Sequence, residues 1–373
     1  MNDAPSAPAR IVSLDALRGF TMLWIVGGGG LAKAMKAFGD GQPATFLAEQ
    51  FEHVRWEGFH FEDLIFPMFV FIAGASLVFS LTRIVAREGR AIAARRVIVR
   101  ALLLFALGVI YNGGWANGFA SVRWLGVLQR IACAYLGAGL LFLFLKPRGL
   151  VAACIAILAG YWALLNFVPV PEVGAGHFAE RHNLSDYLDS QYLPGRKYNT
   201  DHDPEGLLST LPAISTCLLG VFAGLLLQSG APARKKVAWF IGSGAVLIAA
   251  GYAWDAAGFP IIKKIWTSSF VLLAAGWSAV LLGLFYGIID VLGREKWAQP
   301  FIWIGMNPIT LYFAANLVDI SKLAARFTGG DVQKFLNASI HPGTGELLTA
   351  LAGMSFSILL ARFLYRRKIF LRV

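Results

Sequence analysis

The chain has 373 residues, of which 57% are hydrophobic and 15% charged, with a mean hydropathy of +0.61, too apolar for an ordinary water-soluble domain. Its formal charge of +11 does not mark a nucleic-acid binder, because Lys and Arg fall in short links between apolar runs and not on one soluble face. What remains is an all-α, polytopic membrane protein.

A helix needs about 20 mostly apolar residues to cross a hydrocarbon core of about 30 Å. Roughly ten spans are predicted on that basis, near 12–32, 61–82, 97–111, 124–145, 150–168, 211–228, 237–256, 267–290, 298–318 and 346–365. With no internal repeat or soluble module in view, residues 1–373 are expected to form one integral-membrane domain. The basic clusters Arg83/Arg87/Arg90/Arg95/Arg96, Lys146/Arg148, Arg234/Lys235/Lys236, Arg294/Lys296 and Arg366/Arg367/Lys368 follow alternate spans. The positive-inside rule then places both termini in the cytoplasm. Lys263 and Lys264 fall on the outer side and stand as a local exception. The opening MNDAPSAPARIVSLDALRGF lacks the basic lead and cleavage site of a secretory signal, so the first span is expected to stay uncleaved. Cys133, Cys154 and Cys217 lie within predicted spans without metal-ligand spacing and are read as packing residues.

Two outward segments, 33–60 and 169–210, are longer than connections need to be, and long polar loops on a membrane scaffold commonly carry function. The second is rich in Tyr, Asp, Asn and His, a mixture suited to a hydroxylated ligand and equally to a solvated loop. Near its end, Asp203-Pro204-Glu205-Gly206 has the form of a helix start, with an Asp cap, Pro in the first turn and an early acid.

An ionisable side chain inside a span needs a partner, a water cavity or a task. Asp15 and Arg18 are three apart on one helical face and form an interfacial pair or a functional one. Gln129 and Arg130 lie several residues inside the fourth span, where the permanent guanidinium charge must face the bundle interior. Asp63 is its expected partner. In FEHVRWEGFHFEDLIFPMFVFIAG, residues 51–74, His53 and His60 share a face if the stretch is helical, with Asp63 three beyond His60. A neutral imidazole beside a carboxylate can act as base or nucleophile; solvated anchoring next to Trp56 is the alternative. No His-x3-His or Cys-x2-Cys pair supports a metal site.

HVRWEGFHFEDLIFPMFVFIAGAS, preceded by SLDALRG and followed by VRWLGVLQRIACAYL, DPEGLLSTLPAI and GMNPITLYF, resembles the heparan-alpha-glucosaminide N-acetyltransferase family, from about residue 11 to the C-terminus. The resemblance implies transfer of an acetyl group from cytoplasmic acetyl-CoA to the amine of glucosamine or a glucosaminide across a membrane, here expected to be a bacterial inner membrane. It also implies a homodimer. The family's catalytic histidine matches His53 in the pattern H-x-x-W-x-G-x4-D-L, which also takes in Trp56, Gly58 and Asp63. Arg123, Gln129 and Arg130 match R-x-x-G-V-L-Q-R, and Asn307 matches the Asn of G-M-N. His60 matches no family histidine and ranks second to His53. One departure stands out: an Asn near the outer end of the first helix is replaced by Gly29, the position where the acyltransferase-3 family, similar in its opening helix, carries a His.

The resulting expectation makes His53 the general base or the acetyl carrier, with Asp63 orienting it. Arg95, Arg96 and Arg100 are candidates for the CoA phosphates, and Gln129 and Arg130 are further candidates for binding the acetyl-CoA donor. Trp56, His60, Arg123, Asp203, Glu205 and Asn307 are assigned to the acceptor side, with Asn307 or Arg130 as oxyanion donors. A sugar or amino-sugar secondary transporter is the rival reading, since many spans with buried charges describe carriers as well.

Overall fold

The computed structural model describes residues 11–39 and 41–371. The opening MNDAPSAPAR, and with it the N-terminal side of the topology expectation, lies outside the described residues. In chain order the helices are α1 (Val12–Ala37), α2 (Gln42–Gln50), α3 (Phe61–Glu88), α4 (Arg90–Tyr111), α5 (Val127–Phe144), α6 (Pro147–Phe167), α7 (Leu184–Tyr192) and α8 (Thr210–Gln228). They continue as α9 (Ala233–Ala256), α10 (Ser268–Tyr286), α11 (Gln299–Gly305), α12 (Pro308–Val318), α13 (Ile320–Thr328), α14 (Asp331–Ser339) and α15 (Thr344–Arg366). Among the described residues extended pairing is limited to four isolated bridges. The polytopic helical bundle expected from composition is what the chain forms.

Among the described residues seven helices are long and apolar enough to cross a membrane, and an eighth if the bent pair Lys296–Gly305 and Pro308–Val318 counts as one span. The expectation of ten differs for identifiable reasons. Helix α1 has the length but carries Asp15, Arg18, Lys33 and Lys36, and α4 opens with Arg90, Arg95, Arg96 and Arg100. The expected span 298–318 is bent by 73°, where Asn307 leaves helical geometry and Pro308, which has no N–H to give, opens α12. The loops 33–60 and 169–210 shorten as well, because α1 runs to Ala37 and both α2 and α7 occupy what read as connection.

Contacts divide the described residues into two compact units. One holds α1, the start of α9 and the chain from Val280 onward. Within it α1 packs on α11 through reciprocal glycines: Gly19 faces the Phe301 carbonyl and Gly305 faces the Asp15 carbonyl, each so closely that a methyl group would overlap the oxygen. The other unit holds α2 to α8, most of α9 and the first part of α10. Its central contact joins α3 to α8, where Gly74 meets the Cys217 carbonyl and Gly220 and Gly224, four apart on α8, meet the carbonyls of Phe71 and Ala75. Without a strong hydrophobic drive between helices in lipid, such small-residue contacts let backbones approach and dispersion accumulate. That contact fixes α3, and the N-terminus of α3 carries the site. Cys154 and Cys217 are buried and Cys133 half-buried, all free thiols within helices, in keeping with packing.

Candidate functional site

Residues 51–60 are not helical, so His53 and His60 do not share a helical face. The loop is held instead by pairing with the segment before α10. Gly58, at φ +118°, donates its N–H to the Ile261 carbonyl at 2.9 Å, and Glu57 pairs with Ile262 in an antiparallel bridge. The positive φ suits Gly because no Cβ is strained there. Ile262 and Ile265 belong to a buried apolar cluster with Tyr161, Leu165, Phe259 and Val170, which anchors the partner segment. Sequence-distant loops are thereby set side by side.

Asp63, in the first turn of α3, is 1% exposed and accepts four hydrogen bonds. Its Oδ2 takes the backbone N–H groups of Val54 at 3.2 Å and His60 at 3.0 Å, holding the loop and capping the helix as an early acid should. Its Oδ1 lies 3.0 Å from His53 Nδ1 and 3.2 Å from Lys263 Nζ. Lys263 Nζ is also 2.8 Å from His53 Nδ1 and 3.3 Å from Nε2. Nδ1 can donate to the carboxylate or accept from the ammonium, but one nitrogen in one protonation state does not do both. Burial pushes the Lys263 pKa down, and the carboxylates of Asp63, Glu62 and Glu205 oppose but do not cancel that shift.

These groups line a cavity of about 260 Å³ together with Trp56, Arg123 and Glu205. Arg123 lines the same cavity. Its Nε and Nη2 grip Asp203 at 2.8 and 2.7 Å, and Nη2 also reaches Glu205 at 2.7 Å. Burial alone would raise Asp203, yet the Arg123 guanidinium and the N–H groups of Glu205 and Tyr198 hold it below the usual carboxylate range. Glu205 shifts the other way, raised by burial. Tyr198 lies against the guanidinium at 5.0 Å. Trp266 also borders the cavity, and behind it Arg130, 1% exposed, stacks on its ring at 4.7 Å. Arg130 donates to Ser209 Oγ, while its Nε and Nη1 and both amide atoms of buried Gln129 have no partner among the described residues.

The structure brings together His53, Trp56, Asp63, Arg123 and Glu205, with Asp203 behind Arg123. Other expectations need correction. His60 is not on the cavity wall; its Nδ1 bonds the Glu52 carbonyl at 3.0 Å. Asp63 does not pair with Arg130, because Lys263 and His53 occupy it. Asp203 and Glu205 do not begin a helix: α8 starts at Thr210, and Asp203 is bound to Arg123. Asn307 belongs to the first unit, where it donates to the Ile369 carbonyl at 2.9 Å and accepts from Leu371 N–H at 3.2 Å, so its amide ties α12 to the segment after α15. Of the basic candidates, Arg95 is exposed, Arg96 is paired with Glu88 at 2.6 Å, and Arg100 stacks on Tyr135 at 4.8 Å, its Nε without a partner among the described residues. Asp15 and Arg18 pair at 3.2 Å. Gly29 lines a separate cavity of about 450 Å³ in the first unit, with nothing within 4 Å of where its Cβ would stand. The sequence reading missed Lys263, although its signal was visible as a basic doublet on the unexpected side of the topology.

Residues 10–251 match the family described as heparan-alpha-glucosaminide N-acetyltransferase, catalytic, a region that contains His53, Asp63, Arg123, Gln129, Arg130, Asp203 and Glu205. The chain belongs to that family. It is 28% identical over 422 residues to the human heparan-alpha-glucosaminide N-acetyltransferase, covering 98% of this chain and 60% of that protein. To the mouse protein of the same name it is 28% identical over 379 residues, covering 87% of this chain and 56% of the relative. The chain thus spans somewhat over half the length of these relatives. An undecaprenyl-diphosphatase of Thermus thermophilus is 25% identical over 186 residues, covering 49% of this chain and 65% of its own. Lys263 and Trp266 lie beyond the segment that carries the family match, so their part in the site rests on geometry.

Proposed function

We propose that the protein is a transmembrane acetyltransferase that moves the acetyl group of cytoplasmic acetyl-CoA to the amine of glucosamine or a glucosaminide on the far side of a bacterial inner membrane. The observation that carries this reading is the imidazole of His53, held by a buried carboxylate at the edge of a cavity lined by charged and aromatic side chains in a chain of this family.

In the tautomer in which Asp63 accepts the Nδ1–H of His53, Nε2 carries the lone pair, with Lys263 Nζ 3.3 Å from it. From there His53 removes a proton from the acceptor amine or takes the acyl group itself and releases it to the amine. Glu205 supplies a carboxylate in the same cavity for the acceptor's ammonium, and the rings of Trp56 and Tyr198 offer flat apolar surface to a sugar ring. The residues suit an acyl thioester: the unpartnered N–H groups of Arg130 and the unpartnered amide of Gln129 match the carbonyl and amide groups of its pantetheine arm, since buried donors left unpaired are costly. Acetyl-CoA supplies the activated acyl group. Of the three candidates Arg95, Arg96 and Arg100, the first and last are left to meet its phosphates, Arg96 being held by Glu88.

Purified protein in detergent, given acetyl-CoA and glucosamine, should release free CoA in proportion to acceptor. His53→Ala should lower that rate by at least about 100-fold, the lower end for loss of a general base. A folded His53→Ala protein working at the wild-type rate would remove the assignment.

A further inference from the structure

A site that acetylates amines has a chemical difficulty if it contains one of its own. Lys263 is a primary amine whose Nζ stands 2.8 Å from His53 Nδ1 and 3.3 Å from Nε2, beside the atom that handles the acyl group or the acceptor proton. A neutral Nζ there would compete intramolecularly with every acceptor molecule, and intramolecular amines react with large effective molarity. Only protonation makes it inert. Asp63 Oδ1 is 3.2 Å from Nζ, and the carboxylates of Glu62 and Glu205 act on it through space. Against these stand burial and the cations Lys264 and Arg123 that line the same cavity.

We propose that Lys263 is a self-acetylation site of this enzyme, silenced during turnover by its ion pair with Asp63. The inference rests on the acetyl-transfer reading above. The chemistry balances with the acyl thioester alone: neutral Nζ attacks the acetyl carbonyl carbon, an N–C amide bond forms, the C–S bond breaks, and the proton lost from nitrogen ends on the thiolate. The products are Nζ-acetyl-lysine and free CoA. Such an amide is not reopened by an imidazole, and it leaves Asp63 buried beside a neutral group, so the modified site is inactive. Because burial already draws Lys263 toward its neutral form, the protection depends on Asp63 and weakens as pH rises. Lys264 is the internal control. It is paired with Glu180 at 3.1 Å and lies over the Trp56 ring at 5.4 Å.

The test incubates the full chain in detergent with acetyl-CoA and no acceptor at roughly pH 7 and roughly pH 9.5, then maps acetyl-bearing peptides by mass spectrometry. In wild type, acetylation of Lys263 should be low at the lower pH and rise at least about tenfold at the higher, faster than at Lys264, with glucosamine acetylation falling in step with Lys263 occupancy. Asp63→Asn, which keeps a side-chain oxygen for the loop N–H groups but no charge, should show the same modification already at neutral pH. Lys263→Arg should carry none at that position. Lys263 left unmodified, or modified no faster than Lys264, in wild type at high pH overturns the proposal, whether or not the Asp63 variant folds. Glucosamine-dependent CoA release by the same wild-type preparation separates the two levels: release with an unreactive Lys263 refutes only this inference, and no release with no modification refutes the transfer reading too.

Discussion

Removing Arg123 exposes how the acceptor wall is held. Its guanidinium makes three charge-assisted hydrogen bonds of 2.7–2.8 Å to two carboxylates, with side chains 11% exposed for Arg123, 0% for Asp203 and 12% for Glu205. In Arg123→Ala those carboxylates lose the cation that hydrogen-bonds them both, and only the through-space attraction of Arg130 and Lys263 remains. Deleting one partner of a buried pair costs about 3–5 kcal/mol, well beyond the roughly 0.5 kcal/mol scatter of surface changes. The pH dependence supplies the sign. In wild type Asp203 is held below its ordinary value, so its contribution is present above the unfolded pKa and is lost as pH falls through the folded one. In the variant, like-charge repulsion raises the folded pKa of the pair, and the destabilisation is full at neutral pH and relieved on acidification. Thermal inactivation in detergent, followed by size-exclusion recovery between roughly pH 7.5 and roughly pH 5, should show a large gap at the higher pH that narrows at the lower. A gap that is absent, or that widens on acidification, refutes the argument that this charge balance holds the wall.

Arg130→Met replaces a buried charge having two unpartnered nitrogens with an apolar chain of similar length. Heat resistance should be kept or improved, while acceptor-dependent CoA release falls at least about tenfold if those N–H groups serve the acyl donor. Gly220→Ala places a methyl group against the Phe71 carbonyl and should cost about 1–3 kcal/mol, read as earlier loss of the monodisperse peak on heating. Asn307→Ala frees the backbone of Ile369 and Leu371; limited proteolysis should then cut the C-terminal segment faster, with transfer activity largely retained.

The helical class was legible because apolar runs long enough to span lipid have few other uses. The number of spans was not, since α1 and α4 mix helix-forming length with charge, and the bend at Asn307 depends on backbone geometry that hydropathy does not register. At the site, His53 and Asp63 were legible as a pair through their motif. The shared face of His53 and His60 was misread, because helical spacing was applied to a loop whose conformation is set by pairing with residues some two hundred positions away, at Ile261 and Ile262. Lys263 escaped for the same reason. A doublet that breaks a topology rule shows that something other than topology holds it there, but only the fold supplies its partner.

The Glu57–Ile262 bridge also makes chain length itself a constraint. His53 and Lys263 meet because each lies a fixed count of residues from the two positions that pair, so deleting one residue between His53 and Glu57 would rotate the histidine away while leaving every span intact. Natural or engineered variation in this protein should therefore tolerate new side chains in these two loops more readily than any change in how many residues they contain.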